Sequence, residues 1–330
     1  MLALSVATTG GSSIATPLGA VPADAQAPAT SLRPEDLRVA TIAYRLGLAG
    51  TDYCRDRYPL TGLLLHHLPE YDAVGRRAMV AAYGLDRGPG VLAVVAGSPA
   101  AHAGLRAGDV LLSVNSMLFP SPRAMTALRK RKAWRAAIED SEALLESALR
   151  NAPASLGILR DGRELRLTLS SRPGCPARIR LARSRQTNAF ASGRYVIVTT
   201  ALLEFLRSDD ELAIVAGHEL AHNILGHPAR LEEQDVPRGI LRGFGKNASR
   251  VRATEEEADR LGLRLAWAGG FDVSAAIPFW RRYYEAFDRA PQLFRTHPGL
   301  RAREQLIKKT LSDIEAQRGS EGPGTVARPS

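Results

Sequence analysis

The stretch His218-Glu219-Leu220-Ala221-His222 decides the interpretation of this sequence. It follows Ser208-Asp209-Asp210-Glu211, where a serine with glutamate three positions later is typical of a helix N-terminus. Gly226, with a proline close behind it, favours an end to the helix. The pattern therefore predicts a single helix that contains both histidines.

In such a helix, His218 and His222 lie one turn apart, so both imidazoles project from the same face. Two imidazole nitrogens at this spacing are suited to bind a zinc ion. Glu219, adjacent to the first histidine, is the candidate general base that takes a proton from attacking water. The alternative interpretation is two surface histidines and an ordinary helical glutamate.

A third protein ligand is expected, because catalytic zinc sites normally use three and leave one position for water. The metzincin pattern would require glycine at 225 and histidine at 228, but these positions hold Leu225 and Pro228. His227 does not have that spacing and is interpreted as a helix-end residue. The third ligand is therefore expected from another helix.

The acidic segment Thr254-Glu255-Glu256-Glu257-Ala258-Asp259 opens a second amphipathic pattern. Helical spacing places Glu255 and Asp259 on one flank of its apolar face and Glu257 on the other. Spacing alone does not choose between Glu255 and Glu257 as the ligand. A helix-capping pair of Thr254 with Glu257 explains part of the segment equally well.

The motif His218–His222 followed by Glu255 to Asp259 resembles metallopeptidase family 48. This gluzincin group contains the membrane protease HtpX, the CAAX prenyl proteases and soluble periplasmic relatives. The resemblance covers about residues 175–310. Its other landmarks are Asn188-Ala189-Phe190-Ala191, the strand Tyr195–Thr199, Leu202-Leu203, Thr296-His297-Pro298 and Arg303.

This resemblance implies a role for each matching residue. His218, His222 and Glu255 would bind one Zn²⁺ per chain, and Glu219 would be the catalytic base. Asp259 would orient a ligand histidine. His297, with Arg303 nearby, would stabilise the oxyanion. The strand Tyr195–Thr199 would be the edge to which an extended protein or peptide substrate adds.

A second segment, Gly97–Asn115, resembles the middle of a bacterial PDZ domain, and the turn at Asp161-Gly162 fits the closing hairpin of that fold. Such domains capture extended peptides or chain termini by strand addition. The stretch from Pro122 to Arg150 is longer and more charged than usual, which leaves peptide binding open. The alternative is a PDZ-like spacer that packs on the peptidase.

Composition constrains the partners and the compartment. The net charge of +10 identifies no partner, and the basic run at 129–132 favours a solvated helix face, so no nucleic acid is expected. No stretch is apolar enough to span a bilayer, so soluble or peripheral substrates are expected. Residues 1–27 resemble the remnant of a secretory leader, which predicts a periplasmic or otherwise exported protein, with a cytoplasmic one as the alternative. Cys54 and Cys175 could form a disulfide or stay as buried thiols.

The predicted fold is α+β: a PDZ-like small β-domain, then a mostly helical zincin domain with a small edge-strand sheet. The predicted segments are a leader at 1–27, an N-terminal helical segment that packs on the peptidase at 28–79, the PDZ-like domain at 80–172, the peptidase domain at 173–312 and a disordered tail at 313–330. The predicted function is a zinc endopeptidase that acts on unfolded or extended proteins in envelope quality control. The alternative is a zinc-bearing chaperone or adaptor with dormant proteolysis.

Overall fold

The computed structural model describes residues 34–120, 122, 131–236, 245–287 and 299–320. Its helices are α1 (Pro34–Ala49), α2 (Ala73–Tyr83), α3 (Pro99–His102), α4 (Arg131–Leu149), α5 (Thr200–Phe205), α6 (Asp209–Ile224), α7 (His227–Glu233), α8 (Gly245–Ala268), α9 (Ala276–Phe287) and α10 (Leu300–Ser320). Its strands are β1 (Tyr58–Leu60), β2 (Leu63–His66), β3 (Gly90–Val94), β4 (Val110–Val114), β5 (Met117–Leu118), β6 (Ala154–Arg160), β7 (Arg163–Leu169), β8 (Arg172–Gly174), β9 (Ile179–Ala182), β10 (Ala189–Ala191) and β11 (Val196–Thr199). Single 3-10 turns occupy Leu68–Glu70 and Val273–Ala275.

The larger sheet has the strand order β2-β3-β4-β6-β7, with β5 attached to β4. The hairpin of β6 and β7 turns at Asp161 and Gly162, both with positive φ, as turn residues of this kind allow. Helix α4 covers the sheet, because its Leu145 and Leu149 are buried in the same core. Strand β2 pairs with β3, so this sheet starts at residue 63, before the predicted domain start at 80.

The second core contains most of the helices. Buried side chains of α1, including Ile42 and Leu46, pack in one cluster with residues of α6, α8 and β11. In the adjoining three-stranded sheet, β11 pairs antiparallel with β10 and parallel with β9. Strand β11 is therefore central, and the expectation that Tyr195–Thr199 forms the sheet edge is wrong; β10 lies at an edge instead.

The chain passes from the helical core to the larger sheet and back through two short paired strands, β1 and β8, here called the neck. Strands β1 and β8 pair antiparallel, with Tyr58 opposite Gly174. A disulfide joins Cys54 to Cys175 beside this ribbon, with 5.6 Å between the Cα atoms. Since α1 belongs to the helical core, residues 58–174 form an insertion within that unit. The two cysteines are thus paired at the neck rather than left as thiols.

A polar network connects the inserted part to β9 of the helical core. Arg180 of β9 donates to the backbone oxygen of Leu65 at 3.0 Å and forms a short ion pair with Glu142 of α4. Arg178, two residues earlier, pairs with Glu146 at 2.9 Å. A cavity of about 130 Å³ lies here, between β2, α4, α1 and β9. The free side of β2 therefore faces the helical core.

Some predicted features differ or lie outside the described residues. Helix α10 continues to Ser320, where the sequence predicted a disordered tail from residue 313. The leader at 1–27, residues 129 and 130 of the basic run and His297 lie outside the residues that the structure describes. Among the residues that it does describe, no helix is both long enough and apolar enough to cross a membrane.

Candidate metal centre

Helix α6 carries the histidine pair, as the sequence predicted. The Ser208 hydroxyl accepts from the backbone N–H of Glu211 at 3.2 Å, and the Glu211 carboxylate accepts from the backbone of Arg207 at 2.8 Å. These contacts satisfy N–H groups at the start of the helix. The helix ends before Gly226, which has a φ of 65° and turns the chain directly into α7.

Two glycines let α6 and α8 cross at close range. A Cβ built on Gly217 would lie 2.7 Å from the carbonyl oxygen of Gly262. A Cβ on Gly262 would lie 2.6 Å from the backbone nitrogen of His218. Glycine inside a helix costs about 1 kcal/mol relative to alanine, so both positions oppose helix stability locally. The close crossing that they permit brings the acidic face of α8 to His218.

The three expected ligands come together at this crossing. The Nε2 atoms of His218 and His222 are 3.2 Å apart. Glu255 places one carboxylate oxygen 3.4 Å from Nε2 of His218 and the other 3.6 Å from Nε2 of His222. All three side chains are buried. The structure therefore favours Glu255 over Glu257 as the residue beside the two histidines.

The donor set suits a divalent metal. Around a tetrahedral zinc with ligand distances near 2.0–2.1 Å, neighbouring ligand atoms are roughly 3.3 Å apart. The separations of 3.2, 3.4 and 3.6 Å are close to this value. Two imidazole nitrogens and one carboxylate oxygen within 4.8 Å of one another can hold one ion and leave a side open.

The Nδ1 side of His218 faces the buried carboxylate of Asp259, which in turn pairs with the buried guanidinium of Arg303. Oδ1 of Asp259 is 2.8 Å from Nδ1 of His218, and Oδ2 accepts from Nε of Arg303 at 2.8 Å. Burial lowers the pKa of His218, but the carboxylates of Asp259, Glu255 and Glu219 together outweigh burial and raise it to about 10. Burial raises the pKa of Asp259, whereas Arg303 and His218 lower it, and the net pKa is below its usual value. Asp259 is thus charged and directs Nε2 of His218 toward Glu255.

Arg303 is held deep in the protein. Its side chain is 2% exposed, and its guanidinium lies 3.9 Å from the Trp280 ring centroid and 3.9 Å from a Glu255 oxygen. These contacts direct the cation toward the carboxylates of Glu255 and Asp259. The expected oxyanion group beside it, His297, lies outside the described residues.

Sequence reasoning missed the role of His227 in this centre. Its ring is 1% exposed, and its Nδ1 lies 2.9 Å from Nδ1 of His222. Its Nε2 lies 3.1 Å from a Glu257 oxygen, which also accepts from Arg230 at 2.9 Å. Burial lowers the pKa of His227 below its usual value. The sequence indicated that His227 lacks the spacing of a metzincin ligand and lies at a helix end, but it did not predict the contact with Nδ1 of His222.

Glu219 and the β10–β11 turn lie on the more open side. Glu219 is partly exposed, in contrast to the two buried histidines that flank it along the helix. Asn223, next to His222, accepts from the backbone of Gly193 at 2.8 Å and donates to the backbone oxygen of Tyr195 at 3.3 Å. These bonds fix the turn between β10 and β11 to the helix that carries the histidines.

Comparisons with known proteins agree with this arrangement. Residues 165–237 and 239–311 match the model of peptidase family M48, and residues 90–125 match that of the PDZ domain. The mitochondrial metalloendopeptidase OMA1 of Schizosaccharomyces pombe is 28% identical over 162 residues, which cover 42% of this chain and 48% of that protein. The beta-barrel assembly-enhancing protease of Yersinia pestis is 27% identical over 155 residues, which cover 37% of this chain and 32% of that protein.

The chain thus spans less than half the length of these curated relatives. The match to the peptidase family includes the segment with both histidines and the acidic part of α8. The resemblance to these two families is confirmed: the chain matches the models of peptidase family M48 and of the PDZ domain over the residues given above.

Proposed function

We propose that this chain is a zinc-dependent endopeptidase that hydrolyses peptide bonds of unfolded or extended proteins. The observation that carries the proposal is the triangle of His218, His222 and Glu255 with Glu219 on the adjacent position of the same helix. The donor set and its separations are those that zinc prefers. The M48 match supports a divalent metal in this place.

Zinc, when bound, lowers the pKa of a water molecule and polarises a peptide carbonyl. The protein's own residues then act as follows in this proposal. Glu219 accepts the proton of the attacking water and returns it to the leaving nitrogen. Asp259 holds His218 in one tautomer and orientation through the 2.8 Å contact at Nδ1. Arg303 keeps Asp259 charged, and His297 is assigned to the oxyanion by the family resemblance.

Substrate is proposed to bind along β10 as an added strand. Strand β10 pairs with β11 on one side only among the described strands, and its turn to β11 is bonded to Asn223 beside His222. Backbone pairing of this kind tolerates many side chains. Peptides with N-methylated backbone amides should therefore show a higher KM than their unmodified counterparts. An unchanged KM at every methylated position would exclude strand addition.

We also propose that the protein is exported and takes part in protein quality control in the cell envelope. The disulfide between Cys54 and Cys175 supports it, because disulfides persist in oxidising compartments. Cell fractionation with thiol labelling of the two cysteines tests it. Cytoplasmic protein with both thiols freely labelled would contradict it.

Degradation of casein by the purified protein tests the peptidase. We expect zinc-loaded protein to cleave casein, and Glu219→Gln or a chelator to lower the rate by at least about 100-fold, since general-base loss costs 10²–10⁴. The variant should still bind zinc. If the wild type and Glu219→Gln both bind zinc and degrade every unfolded substrate at the same rate, the result would instead support the chaperone or adaptor alternative.

A further inference from the structure

The Nδ1 atoms of the two histidines on α6 contact different kinds of side chain. Nδ1 of His218 contacts the Asp259 carboxylate directly. Nδ1 of His222 contacts another imidazole, that of His227, at 2.9 Å. The two rings are nearly perpendicular, with 4.9 Å between centroids and 79° between planes. His222 therefore has an imidazole at its Nδ1 where His218 has a carboxylate.

Only one proton can lie between two Nδ1 atoms in hydrogen-bond contact, so one ring donates this proton and the other accepts it. A metal bound at Nε2 of His222 requires the proton of that ring to be on Nδ1. His222 then donates, and Nδ1 of His227 accepts. The remaining proton of His227 must be on Nε2, which lies 3.1 Å from the Glu257 carboxylate. Each ring thus has only one tautomer that satisfies all contacts.

The chain reaches this geometry through its local sequence. Gly226 in the left-handed conformation ends α6 and allows His227 to begin α7 beneath the last turn of α6. Glu257 lies on α8, one turn beyond the start of the acidic segment, and Arg230 lies on α7, one turn after His227. Arg230 donates to the same Glu257 oxygen at 2.9 Å. Three helices therefore meet at the back of His222.

We propose that His227, held by Glu257 and Arg230, is a positioning residue for His222: it accepts the Nδ1 proton and so directs Nε2 of His222 toward the metal. The inference rests on the proposed zinc function. His227 is better suited to this role than to that of a fourth metal ligand, because both its ring nitrogens already contact other side chains. Helix α8 thus supports both histidine ligands of α6 through carboxylates, His218 directly from Asp259 and His222 indirectly from Glu257.

The test compares two substitutions of His227 in the full chain. His227→Asn keeps an acceptor oxygen near the position of Nδ1, whereas His227→Leu fills a similar volume without one. We expect the zinc dissociation constant of the Leu variant to rise by about 10- to 100-fold, and that of the Asn variant to rise less. Competition with a chromogenic chelator measures both constants on metal-free protein. Glu256→Gln, an exposed change on α8, is the matched control.

Cobalt loading adds a readout that a loss of folding alone would not produce. At saturating Co²⁺, the visible absorption of the Leu variant should differ from wild type, because His222 is free to rotate or to bind through its other nitrogen, and the Asn variant should resemble wild type. Thermal unfolding of the metal-free proteins identifies any variant that does not fold. Equal zinc affinity of the Asn and Leu variants, whether lowered or unchanged, would overturn the proposal. Failure of the wild type itself to bind zinc would instead count against the proposed function.

Discussion

Gly262 of α8 lies directly against the backbone of His218 on α6, so close that a methyl group on Gly262 would be 2.6 Å from the His218 nitrogen and 2.7 Å from its Cα. Real Cβ atoms do not approach backbone atoms at such distances. The pair Gly217 and Gly262 therefore sets the spacing between two helices, and through it the distance between the histidines and Glu255.

Substitution Gly262→Ala should separate the two helices. Overpacking of this kind costs about 1–3 kcal/mol of folding free energy, although alanine is the better helix former. The zinc dissociation constant should also rise, because Glu255 moves with α8 away from His218. Chemical denaturation and chelator competition measure the two effects. Glu256→Ala on the same helix should change neither, and an unchanged zinc affinity in Gly262→Ala would show that the crossing does not set the site.

Glu255→Gln should weaken zinc binding far more than Glu257→Gln. Glu255 is 3.4 Å from Nε2 of His218 and 3.6 Å from Nε2 of His222, whereas Glu257 is linked to the centre only through His227. Loss of a charged ligand should cost at least about 100-fold in affinity, and loss of the outer carboxylate at most about tenfold. Titration of metal-free protein with zinc distinguishes them. Equal losses would remove Glu255 from the ligand set.

Reduction of the disulfide between Cys54 and Cys175 should lower the free energy of unfolding by about 2–5 kcal/mol, since the bond closes a long loop. Cys54→Ser/Cys175→Ser should show the same loss without reductant. Urea denaturation of the oxidised, reduced and substituted proteins provides the comparison. The reductant should have no effect on the double variant, which separates loss of the bond from other effects of the reagent.

His66 and His67 should each contribute less to the stability of the folded protein as the pH falls. Burial, the largest influence on both, lowers the pKa of His66 to about 3 and that of His67 to about 4. Between pH 6.5 and these values each ring binds a proton in the unfolded chain but not in the folded chain, so its contribution to stability falls as pH falls. Each histidine contributes a slope of about 1.4 kcal/mol per pH unit. Burial raises the pKa of Glu70 and of Glu146 to about 7, and these groups contribute slopes of the opposite sign in this range. The contribution of a histidine is therefore measured as a difference between variants, by unfolding of metal-free protein at pH 6.5, 5.5 and 5.

His67→Gln keeps a polar amide of similar length and removes one of the two titrating rings. As the pH falls from 6.5 to 5, this variant should therefore lose less stability than the wild type, or gain more. Arg260→Gln, an exposed change far from both rings, should leave the wild-type slope intact. Identical slopes for wild type and His67→Gln would show that His67 is protonated in the folded protein.

The sequence predicts the parts of the site that depend on spacing within one helix. The caps of α6 and the common face of His218 and His222 follow from local rules of helix geometry. The choice between Glu255 and Glu257 does not, because it depends on how α8 is rotated and placed against α6. That placement is set by Gly217 and Gly262, whose meeting across two helices leaves no periodic pattern in the sequence.

For a similar reason, the sequence does not predict the order of the strands or the contact between His227 and His222. The segment Tyr195–Thr199 is apolar and short, which indicates a strand but not its place within a sheet. Its central position depends on β9, which precedes it by more than ten residues and pairs in parallel. His227 follows Gly226, and the direction in which the chain leaves that glycine decides whether the imidazole faces solvent or His222.

The disulfide beside the neck determines what happens when the backbone of the inserted sheet is cut. Cys54 and Cys175 bracket the whole of residues 58–174, and β1 and β8 pair just inside them. A single proteolytic cut anywhere between the two cysteines would leave both pieces attached to one another. Such a nicked protein would run as one band on a non-reducing gel and as two after reduction. Processing or self-cleavage within the PDZ-bearing insertion could thus occur without release of either fragment.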